Sequence, residues 1–179
     1  FTGAMMAFFS FNSFFPTMAL DFYDVSLSGS GFVVAMYVLP GGVVGVIVAY
    51  YLKGVRGRAP ILALAGIIIV STYCGMTLTA SYPFLVGLAV VNGIGWGFFP
   101  ILYMVPFHLK NVRPREIAIA VAVVMSLAHL GSAVGPMLTG YMQESLGSLQ
   151  LSMRIISFSP ITLVIAAALI GQGSTKRSK

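Results

Sequence analysis

The chain has 179 residues, of which 58% are hydrophobic and only 8% are charged, whereas about a quarter of the residues in an ordinary soluble domain carry a charge. A soluble core of this size cannot hide so much apolar surface, so the composition excludes a water-soluble globule. Six membrane-spanning helices of about 20 residues need roughly 120 residues, which leaves about 60 for loops and ends. The sequence therefore predicts a single all-α integral membrane domain with six transmembrane helices.

The net charge of +6 comes from ten Lys and Arg residues, nine of which lie in three short clusters between apolar runs. A nucleic-acid-binding protein needs a continuous basic face, so this placement argues against nucleic acid as a partner. The single Cys74 cannot form an intramolecular disulfide. The chain begins at Phe1 without a signal-peptide pattern, and we expect further sequence upstream.

The predicted helices follow from the uncharged runs between the charged clusters. The longest run, 59–109, is too long for one span, and Ala80-Ser81-Tyr82-Pro83 provides a turn signal near its middle. The predicted transmembrane helices, in chain order, are 1–20, 31–52, 60–79, 84–107, 116–142 and 153–171, followed by a basic tail at 172–179.

The charge distribution also predicts the orientation. Cytoplasmic loops retain Lys and Arg, and nine of the ten basic residues lie in loops 2-3 and 4-5 and in the tail, which share one side of an even bundle. Only Arg154 lies on the other side, with Asp21, Asp24 and Glu144. We therefore expect both termini to be cytoplasmic, the tail to be an anchor beside anionic lipid, and the membrane to be the plasma membrane.

Small residues spaced by four let helix backbones approach closely in a membrane. Helices 2, 4 and 5 carry such stripes together with proline, which leaves two interpretations open: tight packing, or bending and sliding of these helices in a conformational cycle. The residues concerned are Pro40, Gly41, Gly45, Gly93, Gly97, Gly131, Gly135 and Pro136.

Polar residues at mid-membrane depth are costly, so each is a candidate for function. Asn12 lies about halfway along helix 1, and Asn92, Trp96 and Tyr103 share one face of helix 4. His129 lies near the middle of helix 5, and histidine is the side chain that most readily changes charge near neutral pH. For His129 and Asn92 the alternative is a satisfied group that joins two helices, and for the aromatic face it is core packing.

The sequence contains no enzyme-like constellation. It has no HExxH motif, no Cys and His cluster and no Walker-type phosphate loop, so we expect no metal, no cofactor and no enzymatic activity. Ser28-Gly29-Ser30-Gly31 has the look of a nucleophile turn, but we place it in a loop before helix 2, with no base nearby.

Three stretches resemble the C-terminal six-helix half of a major facilitator superfamily (MFS) transporter. The loop from Lys53 to Pro60, with Arg56, Gly57 and Arg58, resembles the short basic loop after the second helix of each half. The stretch from Arg113 through helix 5 resembles the fifth helix of a half with its glycine-proline motif, and helix 1, which ends Pro16-Thr17-Met18-Ala19-Leu20, resembles the seventh helix of the whole transporter.

The resemblance implies two six-helix halves that rock around a central cavity. It further implies that the first, second, fourth and fifth helices line or border the cavity while the third and sixth face lipid. Arg56, Arg58 and Arg115 are then cytoplasmic gate or anchor residues, and the Gly131, Gly135 and Pro136 segment makes helix 5 the hinge or gate helix. The cavity candidates are then Asn12, Tyr37, Asn92, Trp96, Tyr103 and His129.

The expected function is transport of a small solute by alternating access, together with an N-terminal half and with proton coupling as one option. No Lys, Arg, Asp or Glu lies at mid-depth in this half, although the other half could supply one. The apolar and aromatic residues with amides are compatible with small organic or drug-like solutes, and anion transport stays open. Two alternatives are a six-helix homo-oligomeric channel or transporter and a structural membrane protein.

Overall fold

A computed structural model describes residues 1–51, 58–98, 100, 102, 107 and 113–176 of the chain. All regular secondary structure within these residues is helical. The helices are α1 (Thr2–Tyr23), α2 (Leu27–Tyr51), α3 (Arg58–Met76), α4 (Tyr82–Trp96), α5 (Pro114–Leu146), α6 (Leu149–Ile156) and α7 (Ile161–Lys176).

Four segments of the described part are long and apolar enough to cross a membrane. They are Leu27–Tyr51, Ala59–Met76, Pro114–Leu146 and Leu149–Leu169, and α4 is a shorter apolar helix. α1 has 22 residues, but its Ser, Thr, Asn and Pro residues lower its mean hydropathy. It contacts α2, α5, α6 and α7 and therefore lies inside the bundle, where few side chains meet lipid. The predicted all-α membrane fold is confirmed.

The start of α2 differs from the prediction. The helix begins at Leu27 rather than at 31, so the Ser28–Gly31 segment, predicted as a loop, is helical. The reason is local, because the Ser26 hydroxyl oxygen accepts a hydrogen bond from the Gly29 backbone N–H at 3.1 Å, and a serine in this position favours helix initiation. No loop exists there to present a nucleophile.

The fourth predicted helix is interrupted. α4 ends at Trp96 with Gly97 as its C-cap, so residues 97 and 98 form a turn inside the predicted range 84–107. Pro100 and Leu102 are again helical, while 99, 101 and 103–106 lie outside the described residues. Gly97 keeps right-handed backbone angles, φ −59° and ψ −14°, and its N–H donates to the Ile94 carbonyl oxygen, which tightens the last turn.

The sixth predicted helix is two helices. α6 and α7 are separated by a turn at 157–160, and Pro160, which has no backbone N–H, cannot continue the hydrogen bonding of α6. α7 extends to Lys176, so 172–176 of the predicted tail are helical and 177–179 lie outside the described residues.

The fifth helix is longer than predicted at both ends. It begins at Pro114, a favourable first residue, and the Glu116 carboxylate accepts a hydrogen bond from the Arg113 backbone N–H at 3.0 Å. It ends where Gly147 takes a left-handed conformation with φ 66°. Acidic residues in the first turn and glycine after the last are ordinary helix boundaries.

The helices pack as pairs. α1 lies along α5, α2 along α4, and α3 along α7. In the third pair a Cβ placed at Gly66 would lie 2.9 Å from Val164 Cγ2 and 3.0 Å from Leu163 Cβ, so the missing side chain allows the close approach. This pair lies away from the cleft described next. Its outer surface includes Leu64, Ile67 and Ile165, each of which is more than half exposed.

Candidate functional site: a cleft between two helix pairs

A cleft of about 610 Å³ lies between the α1–α5 pair and the α2–α4 pair. Its volume is within the range of small-molecule sites. It is lined by Met5, Phe8, Phe9, Tyr37, Val38, Gly41, Gly42, Gly45, Val46, Ala49, Trp96, Pro100, Met125, Ala128, His129 and Ser132. These residues come from α1, α2, α4 with the segment after it, and α5. The resemblance implied that these four helices border a cavity, and the cleft agrees with that expectation.

Glycines on α5 set one wall of the cleft. A Cβ at Gly131 would overlap the Thr2 carbonyl oxygen, and one at Gly135 would overlap the Met6 carbonyl oxygen. One turn further along, Thr139 Oγ1 donates a hydrogen bond to Ser10 Oγ at 3.0 Å, and both side chains are fully buried. Positions four apart on α5 therefore meet positions four apart on α1, and the pair packs backbone against backbone.

The α2–α4 wall is built in the same way. A Cβ at Gly93 would lie 2.8 Å from the Tyr37 carbonyl oxygen, and one at Gly41 would lie 3.1 Å from the Gly93 carbonyl oxygen. A Cβ at Gly97 would overlap Val44, whereas one at Gly45 would make ordinary contact with Pro100 at 3.6 Å. The described contacts of these glycines are thus packing contacts, and α5 runs without a break through Pro136.

Aromatic rings form the inner end of the cleft. The Phe8 ring packs edge-on against Trp96, with centroids 4.9 Å apart, and against Tyr37, with centroids 5.9 Å apart. Behind them, Tyr73 of α3 accepts a hydrogen bond from Trp96 Nε1 at 3.3 Å and stacks on Phe11 with centroids 4.1 Å apart. Such edge-to-face and stacked pairs hold the rings in defined orientations.

The polar groups of the cleft are few. His129 is exposed in this chain, and its Nδ1–H donates to the Met125 carbonyl oxygen at 2.7 Å, which leaves Nε2 as the free ring nitrogen. Ser132 Oγ donates to the His129 carbonyl oxygen at 2.7 Å. The described lining contains no Lys, Arg, Asp or Glu. A ligand therefore meets aromatic and aliphatic surface with isolated hydrogen-bonding groups.

The structure brings only some of the candidate residues predicted from the sequence to the cleft. Tyr37, Trp96 and His129 line the cleft. Asn92 instead faces α3, where it is fully buried and its Nδ2 donates to Thr72 Oγ1 at 2.7 Å. Asn12 is half-buried on α1 and donates to the Phe8 carbonyl oxygen at 2.8 Å. Neither asparagine is among the described lining residues.

The remaining candidates concern the cytoplasmic end. Arg115 is exposed in the first turn of α5. Tyr103, Arg56 and Gly57 lie outside the described residues, and Arg58 is the first residue of α3. Across the described ranges, no group of three or more His, Cys, Asp or Glu side chains is placed to hold a metal ion.

The family model of the Major Facilitator Superfamily matches residues 1–178. The chain belongs to this superfamily. No curated protein matches it.

Membership in the Major Facilitator Superfamily assigns the chain to membrane transport and to the membrane itself. Members of the superfamily are transporters rather than enzymes. The all-α bundle described above is an MFS-type half, and its environment is the lipid bilayer. Solutes of this superfamily are small molecules, which is consistent with the size of the cleft.

Several cleft residues of this superfamily member were missed by the sequence analysis. Phe8 and Phe9 of α1, Val38 and Val46 of α2, and Met125 of α5 line the cleft. Apolar side chains on a transmembrane helix look the same whether they face lipid or a cavity, so composition gives no signal for them. The Gly131 and Gly135 stripe carried a partial hint, since it indicates which face of α5 meets α1.

Proposed function

We propose that the chain is one half of an alternating-access transporter for a small, largely apolar organic solute. The proposal rests on one observation, the cleft between the α1–α5 and α2–α4 pairs. A second six-helix half covering that cleft would enclose a binding site near the middle of the membrane, as in transporters built from repeated halves. In this arrangement both termini are cytoplasmic and the protein lies in the plasma membrane.

The packing of the walls supports movement of helix pairs as units. Within each pair, glycines bring the two backbones into contact, so bending one helix alone would break many contacts. Between the pairs lies the cleft. Rocking of this six-helix half against the second half would open the cleft to one side of the membrane at a time. Arg115, at the exposed start of α5, is then placed near the cytoplasmic entrance.

The lining supports a solute without strong charge. Burying a charged group in a low-dielectric cavity costs several kcal/mol unless a counter-charge is present, and the described lining offers none. His129 is the one imidazole among the described lining residues, and histidine is the side chain that most readily takes up a proton near neutral pH. We propose it as the proton-binding group of this half if transport is coupled to protons.

The experiment is solute uptake into proteoliposomes containing the full-length protein. Radiolabelled test solutes are an aromatic ketone, a neutral sugar, a zwitterionic amino acid and an organic anion. Val38→Trp fills the cleft, where Val38 is 43% exposed, and Leu64→Trp on α3 is the matched control, because Leu64 is 58% exposed but does not line the cleft.

The expected result is uptake above that of protein-free liposomes for at least one solute, with loss of that uptake in Val38→Trp and retention in Leu64→Trp. Equal uptake by the two tryptophan variants would show that solute does not pass through this cleft.

A further inference from the structure

Tyr37 lines the described cleft, and its hydroxyl group makes no hydrogen bond within the described fold. It is fully buried, and its hydroxyl has no hydrogen-bond partner among the residues that the structure describes. An unsatisfied buried hydroxyl costs about 1–3 kcal/mol, and such groups are rare enough to need an explanation. Tyr37 lines the cleft, but its hydroxyl is itself buried, so a bound solute can be its partner only when Phe8, which packs against the Tyr37 ring, moves aside.

The neighbouring polar groups are already occupied. Trp96 Nε1 donates to the Tyr73 hydroxyl at 3.3 Å, His129 Nδ1 donates to the Met125 carbonyl oxygen, and Ser132 Oγ donates to the His129 carbonyl oxygen. These bonds leave the Tyr37 hydroxyl as the uncommitted donor at the aromatic end of the described cleft. A hydroxyl donor there selects a ligand that carries an acceptor oxygen or nitrogen.

Phe8 packs against two other aromatic rings that line the cleft, Tyr37 and Trp96. Its ring meets both Tyr37 and Trp96 edge-on, with interplanar angles of 83° and 67°. Phe8 is half-buried, whereas Tyr37 is fully buried, so Phe8 is the more accessible of the two rings to a ligand in the cleft. A ligand ring that replaces it would make the same edge-to-face contacts with both partners.

We infer that the cleft selects an uncharged aromatic solute carrying one hydrogen-bond acceptor, with the ring in the place of Phe8 and the acceptor on the Tyr37 hydroxyl. This inference rests on the proposed function, since it assigns a solute class to the same cleft. The described lining of this half has no ionised side chain, which favours an uncharged solute on this side of the site, and the unpartnered hydroxyl favours a solute with a hydrogen-bond acceptor.

The test uses two probes of the same shape, 2-acetylnaphthalene, which has a carbonyl acceptor, and 2-ethylnaphthalene, which has none. Binding to the purified full-length protein is measured by quenching of tryptophan fluorescence, and 2-naphthoate serves as a charged comparison. Tyr37→Phe removes the hydroxyl and keeps the ring. Tyr73→Phe is the matched control, because it removes a fully buried hydroxyl that is bonded to Trp96 and does not line the cleft.

The expected result is that the native protein binds 2-acetylnaphthalene about three- to tenfold more tightly than 2-ethylnaphthalene, the ratio that one net hydrogen bond provides. Tyr37→Phe should reduce this ratio to about one, while Tyr73→Phe keeps it. Naphthoate should bind more weakly than both.

Three results with the two neutral probes overturn the inference, and a separate result on uptake bears on the proposed function. Equal binding of the two neutral probes to the native protein, or a ratio unchanged in Tyr37→Phe, rejects the assigned solute class while uptake that is lost in Val38→Trp still supports transport through the cleft. No binding of either neutral probe also rejects the solute class. Uptake that is insensitive to Val38→Trp rejects the proposed function itself, whatever the probe ratio.

Phe8→Ala provides a second variant whose outcome does not depend on the hydroxyl. Removing the ring that occupies the subsite should increase the affinity for 2-acetylnaphthalene, because the ligand no longer displaces Phe8. A large decrease in affinity with the fold intact would show that the ligand uses Phe8 as a partner, which contradicts the exchange of rings.

Discussion

Thr139 on α5 donates a hydrogen bond to Ser10 on α1, with the two hydroxyl oxygens 3.0 Å apart and both side chains fully buried. The bond joins residues 129 positions apart in the chain. It continues the line of contact in which Gly131 meets Thr2 and Gly135 meets Met6. This line holds the central helix α1 against one wall of the cleft.

The Ser10–Thr139 bond should stabilise the protein modestly. Hydrogen bonds between transmembrane helices contribute about 0.6 kcal/mol on average and up to about 1.7 kcal/mol. A double-mutant cycle with Ser10→Ala and Thr139→Val should therefore give a coupling energy of that size in reversible unfolding in mixed micelles. A coupling of zero would mean that the two hydroxyls stabilise the pair independently.

Gly135→Ala should destabilise the protein strongly. The new methyl group would overlap the Met6 backbone, and overpacking of this kind costs about 1–3 kcal/mol, which outweighs the gain of up to about 1 kcal/mol in helix propensity. The expected fall in melting temperature is about 2–4 °C per kcal/mol for a domain of this size.

Gly140→Ala is the matched control for that change. It lies on the same helix, and its Cβ would find only Phe14 Cζ at 3.9 Å. Its melting temperature should equal or exceed that of the native protein. Equal effects of the two alanines would contradict close α1–α5 packing.

Asn92→Ala should affect stability and leave probe binding unchanged. Asn92 joins α4 to α3 through Thr72, and it does not line the described cleft. We expect a lower melting temperature, because Thr72 loses a buried partner, and an affinity for 2-acetylnaphthalene within about twofold of the native value. A loss of affinity for 2-acetylnaphthalene without a loss of stability would contradict this and show that Asn92 contributes to ligand binding.

His129→Ala should abolish transport or remove its dependence on pH. The imidazole lines the cleft, and the bond from Nδ1 to the Met125 carbonyl oxygen leaves Nε2 free to take up a proton. Uptake in proteoliposomes with and without a pH gradient measures this, with Ser132→Ala as a control that removes a polar neighbour which does not titrate. An unchanged pH dependence in His129→Ala would exclude the residue from coupling.

Much of the architecture could be predicted because it depends on composition and periodicity. Apolar runs separated by basic clusters indicate transmembrane helices. Helices 2, 4 and 5 each carry glycine stripes together with proline, and these three helices do border the cleft. The turn at Gly97 and the break before Pro160 were missed, because an apolar run alone does not reveal where a helix stops.

The candidate site could be predicted only in part, because depth in the membrane does not fix the direction of a side chain. Asn92 and Trp96 share a face by spacing, yet Asn92 is bonded to α3 while Trp96 also reaches the cleft. Tyr37 carried little signal in the sequence, and its unpartnered hydroxyl is visible only once its neighbours are placed. Which face of a helix meets a cavity is decided by packing with distant segments.

The central claim is that this cleft opens to each side of the membrane in turn. The most direct measurement is labelling of Val46→Cys by a membrane-impermeant maleimide, in full-length protein with Cys74 and any other cysteine replaced. Val46 lines the cleft and is 71% exposed, and Leu64→Cys on α3, which is exposed but does not line the cleft, is the control. The account predicts that Val46→Cys reacts from both sides of the membrane, more slowly with 2-acetylnaphthalene bound, and that Leu64→Cys reacts from neither. Reaction of Val46→Cys from one side only, under every condition, would contradict it.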